Sequence, residues 1–198
     1  MFSKDLVVRG NRFVENRGHR AYGLIFQSSD RSTLQNNEIS GNAVGLSFNQ
    51  CNGNRVIGNR VERNYIGLRI GSNSDDNRFT ENILERNLHP VETGGSDVSE
   101  TRWTVNGVGN RWDEALELDL NRDGINDLPH RELDLLGVMR RDFPAVAFLS
   151  DSPAIKLLRF AHGRAALPGA TVIEDRNPLT RQFWKFRAER AARTISQR

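Results

Sequence analysis

The sequence predicts an all-β protein that winds into a right-handed parallel β-helix of about 22 residues per coil. Three observations support this fold class. Asparagine recurs at five-residue steps, apolar and polar residues alternate in short runs, and Gly23, Gly45 and Gly67 stand 22 residues apart. A fixed period in this range is typical of stacked-repeat proteins, in which each repeat packs only on its neighbours.

Each repeat is predicted to contain three short strands joined by three turns. A strand of about five residues points alternate side chains inward, and asparagine and glycine suit the left-handed backbone angles of tight turns. Leucine-rich repeats have similar periods, but this chain lacks their fixed leucine spacing before an asparagine. Helical repeats are longer and rich in alanine and leucine. The parallel β-helix is therefore favoured.

Aligning the repeats by their period predicts inward columns of apolar side chains and three columns of polar side chains. A buried asparagine in a column can hydrogen-bond the asparagines above and below it, so these residues have a structural role. The apolar columns are Phe13, Leu34, Val56 and Phe79; Ile39, Val61 and Leu84; Leu24, Leu46, Leu68 and Val91; and Phe26, Phe48 and Ile70. The polar columns are Asn11, Ser32, Asn54 and Asn77; Asn16, Asn37, Asn59 and Asn82; and Arg20, Asn42, Asn64 and Asn87.

The chain divides into three predicted segments. Residues 6–108 carry the coils, residues 109–150 form an Asp-rich capping or loop segment, and residues 151–198 form a helical C-terminal docking tail. The tail is predicted to be helical because Ser152 precedes a proline at the first helical position. Its later part is basic and rich in alanine.

Composition restricts the classes of function. The formal charge is +3 and the hydrophobic fraction is 37%, which suits an elongated domain that buries a thin slice of core per coil. The basic excess is interspersed until the tail, so nucleic acid is not an expected partner. The single cysteine, Cys51, excludes an internal disulfide and is expected to be an incidental surface or packing residue.

The start of the chain leads directly into a repeat. Leu6, Val7 and Val8 follow a short polar stretch, with neither a signal peptide nor a capping helix before them. Because an open coil exposes its backbone edge and core, we expect that this chain lacks N-terminal coils and is truncated. No run of about 18 apolar residues is present, so no membrane span is expected.

The Asp-rich segment contains the spacing of a calcium-binding loop. Its oxygen ligands would occupy positions 1, 3, 5 and 9, Gly124 would permit the sharp turn, and a backbone carbonyl would serve at position 7. The twelfth position is His130, where this kind of loop needs a bidentate glutamate. The alternative is a loop that caps the β-helix through its own side-chain-to-backbone hydrogen bonds. The candidate ligands are Asp119, Asn121, Asp123, Ile125 and Asp127.

The same segment resembles the C-terminal part of the NosD family. The similar residues include a Gly-Asn-x-Trp motif, the Asp-rich block and a later Asn-Pro-Leu-Thr. Arg111 and His130 depart from the family pattern, which more often has aromatic residues there. The matching positions are Gly109, Asn110, Trp112, Asp119, Asn121, Asp123, Gly124, Ile125 and Asp127, followed by Ser152, Pro153, Ala154, Pro178, Leu179 and Thr180.

The resemblance implies a non-enzymatic, periplasmic accessory protein in the maturation of the copper centres of nitrous oxide reductase. It also implies partners: an ABC transporter with membrane subunit NosY and ATPase NosF, and the reductase itself. Copper is the implied cofactor, and Cu(I) prefers Met, Cys or His. Family members are about twice this length and start with a signal peptide. The weak copper candidates in this chain are Met1, His19 and His89.

The tail is a candidate docking element. A helix with basic and aromatic residues can lie on a membrane surface or on a partner. The candidate residues are Phe183, Trp184, Lys185, Phe186, Arg187 and Arg190.

The alternative function is a β-helix protein that binds or modifies an acidic polysaccharide, as a lyase or an epimerase does. Arg55 and Arg78 form an outward column that could bind acidic sugars. Glu15 and Glu81 lie in a nearby column, so pairing between these charges is the simpler expectation. No catalytic constellation accompanies the tyrosines, and the accessory role is favoured.

Overall fold

The computed structural model describes residues 2–18, 21–94, 96–113, 115, 117–132, 152–154, 157 and 173–188. Within these ranges the chain is nearly all β and forms about four coils of a parallel β-helix, which confirms the predicted fold class. The division of the chain at residues 108 and 150 remains a prediction. None of the helices in the described ranges has the length and hydropathy needed to span a bilayer.

The strands are short, and a single helical segment, α1 (183–188), follows the last of them in the described ranges. In chain order the strands are β1 (Ser3–Lys4), β2 (Val7–Arg9), β3 (Arg12–Val14), β4 (Tyr22–Gln27), β5 (Ser29–Asp30), β6 (Thr33–Gln35), β7 (Glu38–Ser40), β8 (Val44–Asn49), β9 (Arg55–Ile57), β10 (Arg60–Glu62), β11 (Ile66–Ile70), β12 (Arg78–Thr80), β13 (Ile83–Glu85), β14 (His89–Glu92), β15 (Arg111–Trp112), β16 (His130–Glu132) and β17 (Ile173–Asp175).

Three parallel sheets form the walls of the stack. Sheet 1 contains β2, β6, β9 and β12, sheet 2 contains β3, β7, β10, β13 and β15, and sheet 3 contains β4, β8, β11 and β14. Neighbours in each sheet come from successive coils, so a side chain lies directly above its equivalent in the previous coil. β1 pairs with β5 in parallel, and β16 pairs with β17 in antiparallel fashion.

The predicted apolar columns are confirmed in the later coils. In sheet 1, Leu34 pairs with Val56, and Val56 pairs with Phe79. These three side chains are at most 2% exposed. The columns of sheets 2 and 3 follow the same register.

The register predicted for the first coil is wrong. Phe13 pairs with Ile39 in sheet 2, and Val8 takes the predicted place of Phe13 beside Leu34. Partners in β3 and β7 are 26 residues apart, whereas Tyr22 and Val44 are 22 apart. Four extra residues therefore lie between β3 and β4. For the same reason Asn11 hydrogen-bonds Asn37 instead of Ser32, and Asn16 hydrogen-bonds Asn42 instead of Asn37.

An aromatic column, which the periodicity did not reveal, runs through the core towards the C-terminal end. Its ring centroids are 4.6–5.8 Å apart, within the range of favourable aromatic contacts. The larger rings fill the end of the stack, where the repeat pattern has faded. The column is Phe26, Phe48, Phe79, Trp103, Trp112 and His130.

Glycine recurs beside an asparagine column because no side chain fits there. A Cβ on Gly45 would lie 2.6 Å from the carbonyl oxygen of Gly67 and 2.9 Å from Nδ2 of Asn64. The space that a side chain would need is occupied by the next coil. The 22-residue glycine spacing therefore reflects close packing between coils.

Asparagine ladders join the coils. Asn59 is fully buried, and its backbone N–H and side-chain N–H both donate to Oδ1 of Asn82, at 2.9 and 3.0 Å. Oδ1 of Asn59 accepts the equivalent bonds from Asn37, and Nδ2 also donates to the carbonyl of Leu34. Each ladder residue thus satisfies corner backbone groups that the sheet does not reach.

The ladder predicts that Asn59→Ala lowers the free energy of unfolding by about 1–3 kcal/mol, because buried partners in two coils lose their hydrogen bonds. Chemical denaturation of the chain measures this difference. Gln35→Ala, which truncates an outward side chain next to the same ladder, is the matched control. Equal effects of the two substitutions would contradict a stabilising role of the ladder.

Candidate functional site

Most of the functional residues predicted from the sequence lie at the C-terminal end of the stack. Two segments meet there: residues 117–132, which contain the Asp-rich loop, and residues 173–188, which contain β17 and α1. We call these two segments together the C-terminal cap. The cap brings together parts of the chain that are more than 40 residues apart in sequence.

Residues 177–180 close the last coil through backbone hydrogen bonds. The N–H of Gly109 donates to the carbonyl of Asn177 at 2.9 Å, and the N–H of Leu179 donates to the carbonyl of Asn110 at 2.8 Å. Leu179 is 2% exposed. Part of the predicted docking tail therefore covers the end of the β-helix.

Asp175 ends the second asparagine ladder. Its side chain is completely buried, and Oδ2 accepts the backbone N–H of Asn110 at 2.7 Å, in the way that Oδ1 of the next asparagine does elsewhere in the ladder. Trp112 Nε1–H donates to Oδ2 at 2.9 Å, and the Thr104 hydroxyl donates to Oδ1 at 2.8 Å. A carboxylate fits this position because every neighbour named here is a donor.

Burial raises the pKa of Asp175 above the ordinary aspartate value of 3.8, because the charged form loses solvation. Hydrogen bonds from Trp112, Asn110 and Thr104 lower the pKa and offset part of this effect. The sequence analysis missed Asp175, because it lies 65 residues from Asn110 and outside the repeats. No local pattern in the sequence distinguishes it.

The Asp-rich loop is closed by its own side chains. The carboxylate of Asp119 accepts the N–H groups of Asp123 and Gly124 at 3.1 and 2.9 Å. Oδ1 of Asn121 accepts the same N–H of Asp123 at 3.0 Å, and Oδ1 of Asp123 accepts the N–H of Ile125 at 2.7 Å. These are the side-chain-to-backbone hydrogen bonds expected of the alternative interpretation, a loop that caps the β-helix. The calcium site remains a prediction.

The loop also packs on the tail segment. The carbonyl of Gly124 accepts the N–H of Thr180 at 2.9 Å, and the carbonyl of Pro178 accepts the N–H of Asn126 at 2.7 Å. A Cβ on Gly124 would lie 2.6 Å from Cα of Phe183. Gly124 thus permits both its positive φ of 90° and the close approach of α1.

The predicted docking residues divide into two groups. Phe183 is 7% exposed and packs against the loop, and Arg187 forms an ion pair with Glu81 of the fourth coil. Trp184 and Phe186 are half-buried, and Lys185 is exposed. Arg190 lies outside the described residues. The first group holds α1 on the stack, and the second leaves an aromatic and basic surface on it.

The structure describes only one of the three predicted copper ligands, His89. Met1 and His19 lie outside the described residues, and His89 is buried at the start of β14, with its ring 5.1 Å from that of Tyr65. Cys51 is fully buried, and burial raises the pKa of its thiol, which disfavours the thiolate that metals bind. In the described part of the chain, no three His, Cys, Asp or Glu side chains are grouped to hold a metal ion. The copper candidates Met1, His19 and His89 therefore remain a prediction.

The stack and its cap define a class: a parallel β-helix protein of the repeat type, closed at one end and able to present columns of outward side chains. A family model described as "Periplasmic copper-binding protein (NosD)" matches residues 1–116. The match covers more than half of the 198 residues, and the chain belongs to the NosD family. This confirms the resemblance seen in the sequence.

Two curated relatives carry the name "Probable ABC transporter binding protein NosD". The chain is 27% identical over 194 residues to the protein of Stutzerimonas stutzeri and 28% identical over 193 residues to that of Pseudomonas aeruginosa. The alignments cover 90% of this chain but only 43% and 44% of the two relatives. The chain therefore spans less than half the length of the relatives it matches.

The raised pKa of Asp175 predicts a pH dependence of stability. The folded state binds this proton more tightly than the unfolded chain, so the contribution is fully present below pH 3.8 and is lost as the pH rises through the raised pKa. Relative to Asp175→Asn, the wild type should therefore lose unfolding free energy as the pH rises from 3.5 to 7. Denaturation at several pH values measures the difference.

Asp97 is the control, because its pKa is shifted in the opposite direction to that of Asp175. It is exposed, and the backbone N–H of Ser99 lowers its pKa. Its contribution to stability is present above the ordinary pKa and is lost as the pH falls. A wild-type minus Asp175→Asn difference that does not change with pH would contradict the assignment of Asp175.

The loop spacing predicts calcium binding. We expect millimolar Ca²⁺ to raise the melting temperature, since an ion that binds only the folded state stabilises it by mass action, and Asp123→Asn to abolish the rise. Asp75→Asn, at an exposed turn of the coils, should leave the rise unchanged. If calorimetry finds neither heat of binding nor a shift in melting, the loop serves only as a cap.

Proposed function

We propose that this chain is a non-enzymatic accessory protein that acts in the periplasm with an ABC-type transporter. The observation that carries the proposal is the match to the NosD family over residues 1–116. Two relatives, aligned over 90% of the chain, are named for binding such a transporter. More specifically, we propose that the chain acts in the maturation of the copper centres of nitrous oxide reductase.

The partners in this proposal are the transporter's membrane subunit and ATPase, NosY and NosF, together with nitrous oxide reductase. The description of the family as periplasmic supports the proposed location. Copper enters as part of the family's role, and no ligand set in this chain is assigned to it. The proposed contribution of the chain is a rigid surface on which partners assemble.

The rigidity of the proposed docking element supports this role. α1 is held at two points: Phe183 is buried against Gly124, and Arg187 pairs with Glu81. A short helix without such contacts would be unstable in water, because helix nucleation is costly. Because α1 is already ordered, binding through Trp184 and Lys185 would avoid most of the entropy cost of ordering a free tail.

The chemistry of α1 suits a partner at the membrane. Trp184 and Phe186 are half-buried, and Lys185 is exposed next to them. Aromatic residues beside cationic ones are typical both of protein-binding hot spots and of surfaces that contact lipid head groups. A transporter subunit with an acidic or aromatic surface near the bilayer meets both requirements.

The test is capture of the transporter by the intact chain. Trp184→Ala combined with Lys185→Ala should weaken co-purification of the membrane subunit and ATPase by about tenfold or more, as expected for the loss of a central anchor. Lys4→Ala, an exposed substitution at the opposite end of the stack, should have no effect.

The two ways in which this test can fail have different meanings. If the double variant is captured as well as the wild type, α1 is not the docking element. If the wild-type chain itself fails to capture the transporter, the proposed partner is wrong for this chain. Thermal melting of the variant verifies that the cap remains folded, since Phe183 and Arg187 are unchanged.

A further inference from the structure

Three arginines lie in one outward column of sheet 1. Arg55 on β9 pairs with Arg78 on β12, and Arg78 forms a parallel bridge with Arg102 in the next coil. Successive rungs are about 4.8 Å apart, so the cationic groups stand on neighbouring rungs. Arg55 and Arg102 are exposed, and the side chain of Arg78 is 38% exposed. We call Arg55, Arg78 and Arg102 the arginine stripe.

Among the described residues, carboxylates neutralise only one of the three stripe residues, Arg78. Arg78 Nη2 lies 3.5 Å from Asp76 Oδ1, and this is the closest carboxylate to any stripe residue in the described part of the chain. Neither Arg55 nor Arg102 forms an ion pair there. Like charges opposite each other on neighbouring strands destabilise a sheet. The column of three arginines is therefore expected to lower the stability of sheet 1.

The charge pairing expected from the sequence is wrong. Glu81 forms its ion pair with Arg187 of α1 instead of with the stripe. Oε2 of Glu15 lies 3.9 Å from Nη2 of Arg17. Both carboxylates belong to corners between sheets, at residues with positive φ. The simpler account of Arg55 and Arg78 is thereby removed.

The outward face of sheet 2 provides an internal comparison. There, Arg12 Nε lies 2.8 Å from a carboxylate oxygen of Glu38, and Arg111 forms an ion pair with Glu85. Arginines on this neighbouring face have carboxylates within salt-bridge distance. The excess of unpaired positive charge is thus a property of sheet 1.

The stripe leads into an open groove. The groove has a volume of about 540 Å³ and is lined by Arg102 and by Arg176, whose side chain is 80% exposed. Ser99 and Thr101 contribute hydroxyl groups to its lining, and Glu174 Oε1 lies 3.9 Å from Nε of Arg176. The hydroxyl of the buried Thr101 has no hydrogen-bond partner among the described residues. The groove thus adds a further guanidinium, that of Arg176 beside Glu174, and two hydroxyl groups to the end of the stripe.

We propose that the arginine stripe and this groove bind a chain of uronic acid sugars. Guanidinium groups bind carboxylates through paired, charge-assisted hydrogen bonds, which makes arginine the side chain of choice for such a ligand. Each uronate ring carries one carboxylate, so the charge repeats at every ring. The sugar hydroxyls would face Ser99 and Thr101 in the groove.

An extended acidic peptide fits the stripe less well. Side chains on one face of an extended peptide recur about every 6.7 Å, which falls out of step with rungs about 4.8 Å apart within three arginines. A peptide also offers fewer groups for the hydroxyls of the groove. This inference does not rest on the transporter role, which uses the surface of α1.

The test is calorimetric titration of the intact chain with hexagalacturonate. Binding should weaken as salt is added, because the contacts are exposed charges. Arg78→Gln and Arg102→Gln should each reduce affinity about tenfold, as expected for loss of one charge-assisted contact. Arg12→Gln, an exposed arginine on sheet 2, is the matched control and should change affinity less than twofold.

Two comparison ligands separate the possible outcomes. The fully methyl-esterified hexamer keeps the sugar rings but lacks the charges, and it should not bind. Hexaglutamate keeps the charges without the rings, and it should bind at least tenfold more weakly than hexagalacturonate. Equal or tighter binding of hexaglutamate would overturn the sugar assignment and indicate an acidic protein segment.

Two further results would overturn the site. One is the absence of any binding of hexagalacturonate at millimolar concentration, and the other is an equal loss of affinity in Arg12→Gln and Arg78→Gln. Misfolding does not confuse the test, because removing one of three stacked like charges should leave the melting temperature unchanged or raise it.

Discussion

The hydrogen bond from each ladder asparagine to the asparagine of the next coil is the interaction on which the rest of the structure depends. The backbone and side-chain N–H groups of one coil both donate to a single amide oxygen of the following coil, as Asn37, Asn59 and Asn82 show. Because this contact is possible in only one register, it aligns the apolar columns, the glycine contacts and the outward charges. A shift of one residue would turn every strand to its other face.

A ladder of this kind has a direction, so its two ends differ. At the C-terminal end the last donor, Asn110, needs an acceptor, and Asp175 supplies it from a distant part of the chain. The carboxylate also accepts from Trp112 and Thr104. Ending the ladder therefore brings residues 173–183 onto the stack, and this in turn places α1. The need for an acceptor at the end of the ladder thus decides where the candidate docking surface lies.

The same register distributes charge over the outside of the stack. On sheet 2 it places Glu38 beside Arg12, whereas on sheet 1 it places Arg55, Arg78 and Arg102 in one column. A repeat protein can thus carry different chemistry on each face while its interior stays constant. The family match covers the coils, in residues 1–116. The proposed transporter partner concerns the capped end, and the arginine stripe concerns a side wall.

The sequence by itself determined the coil, the inward columns from the second coil onwards, and the ladder residues such as Asn59 and Asn82. These features repeat, so each copy supports the interpretation of the others. It did not determine the register of Phe13, since four extra residues in one loop are invisible to a fixed period. The burial of Phe183, the pairing of Glu81 with Arg187 and the role of Asp175 were decided only by tertiary structure. These contacts join positions far apart in the chain and occur once, so no local pattern encodes them.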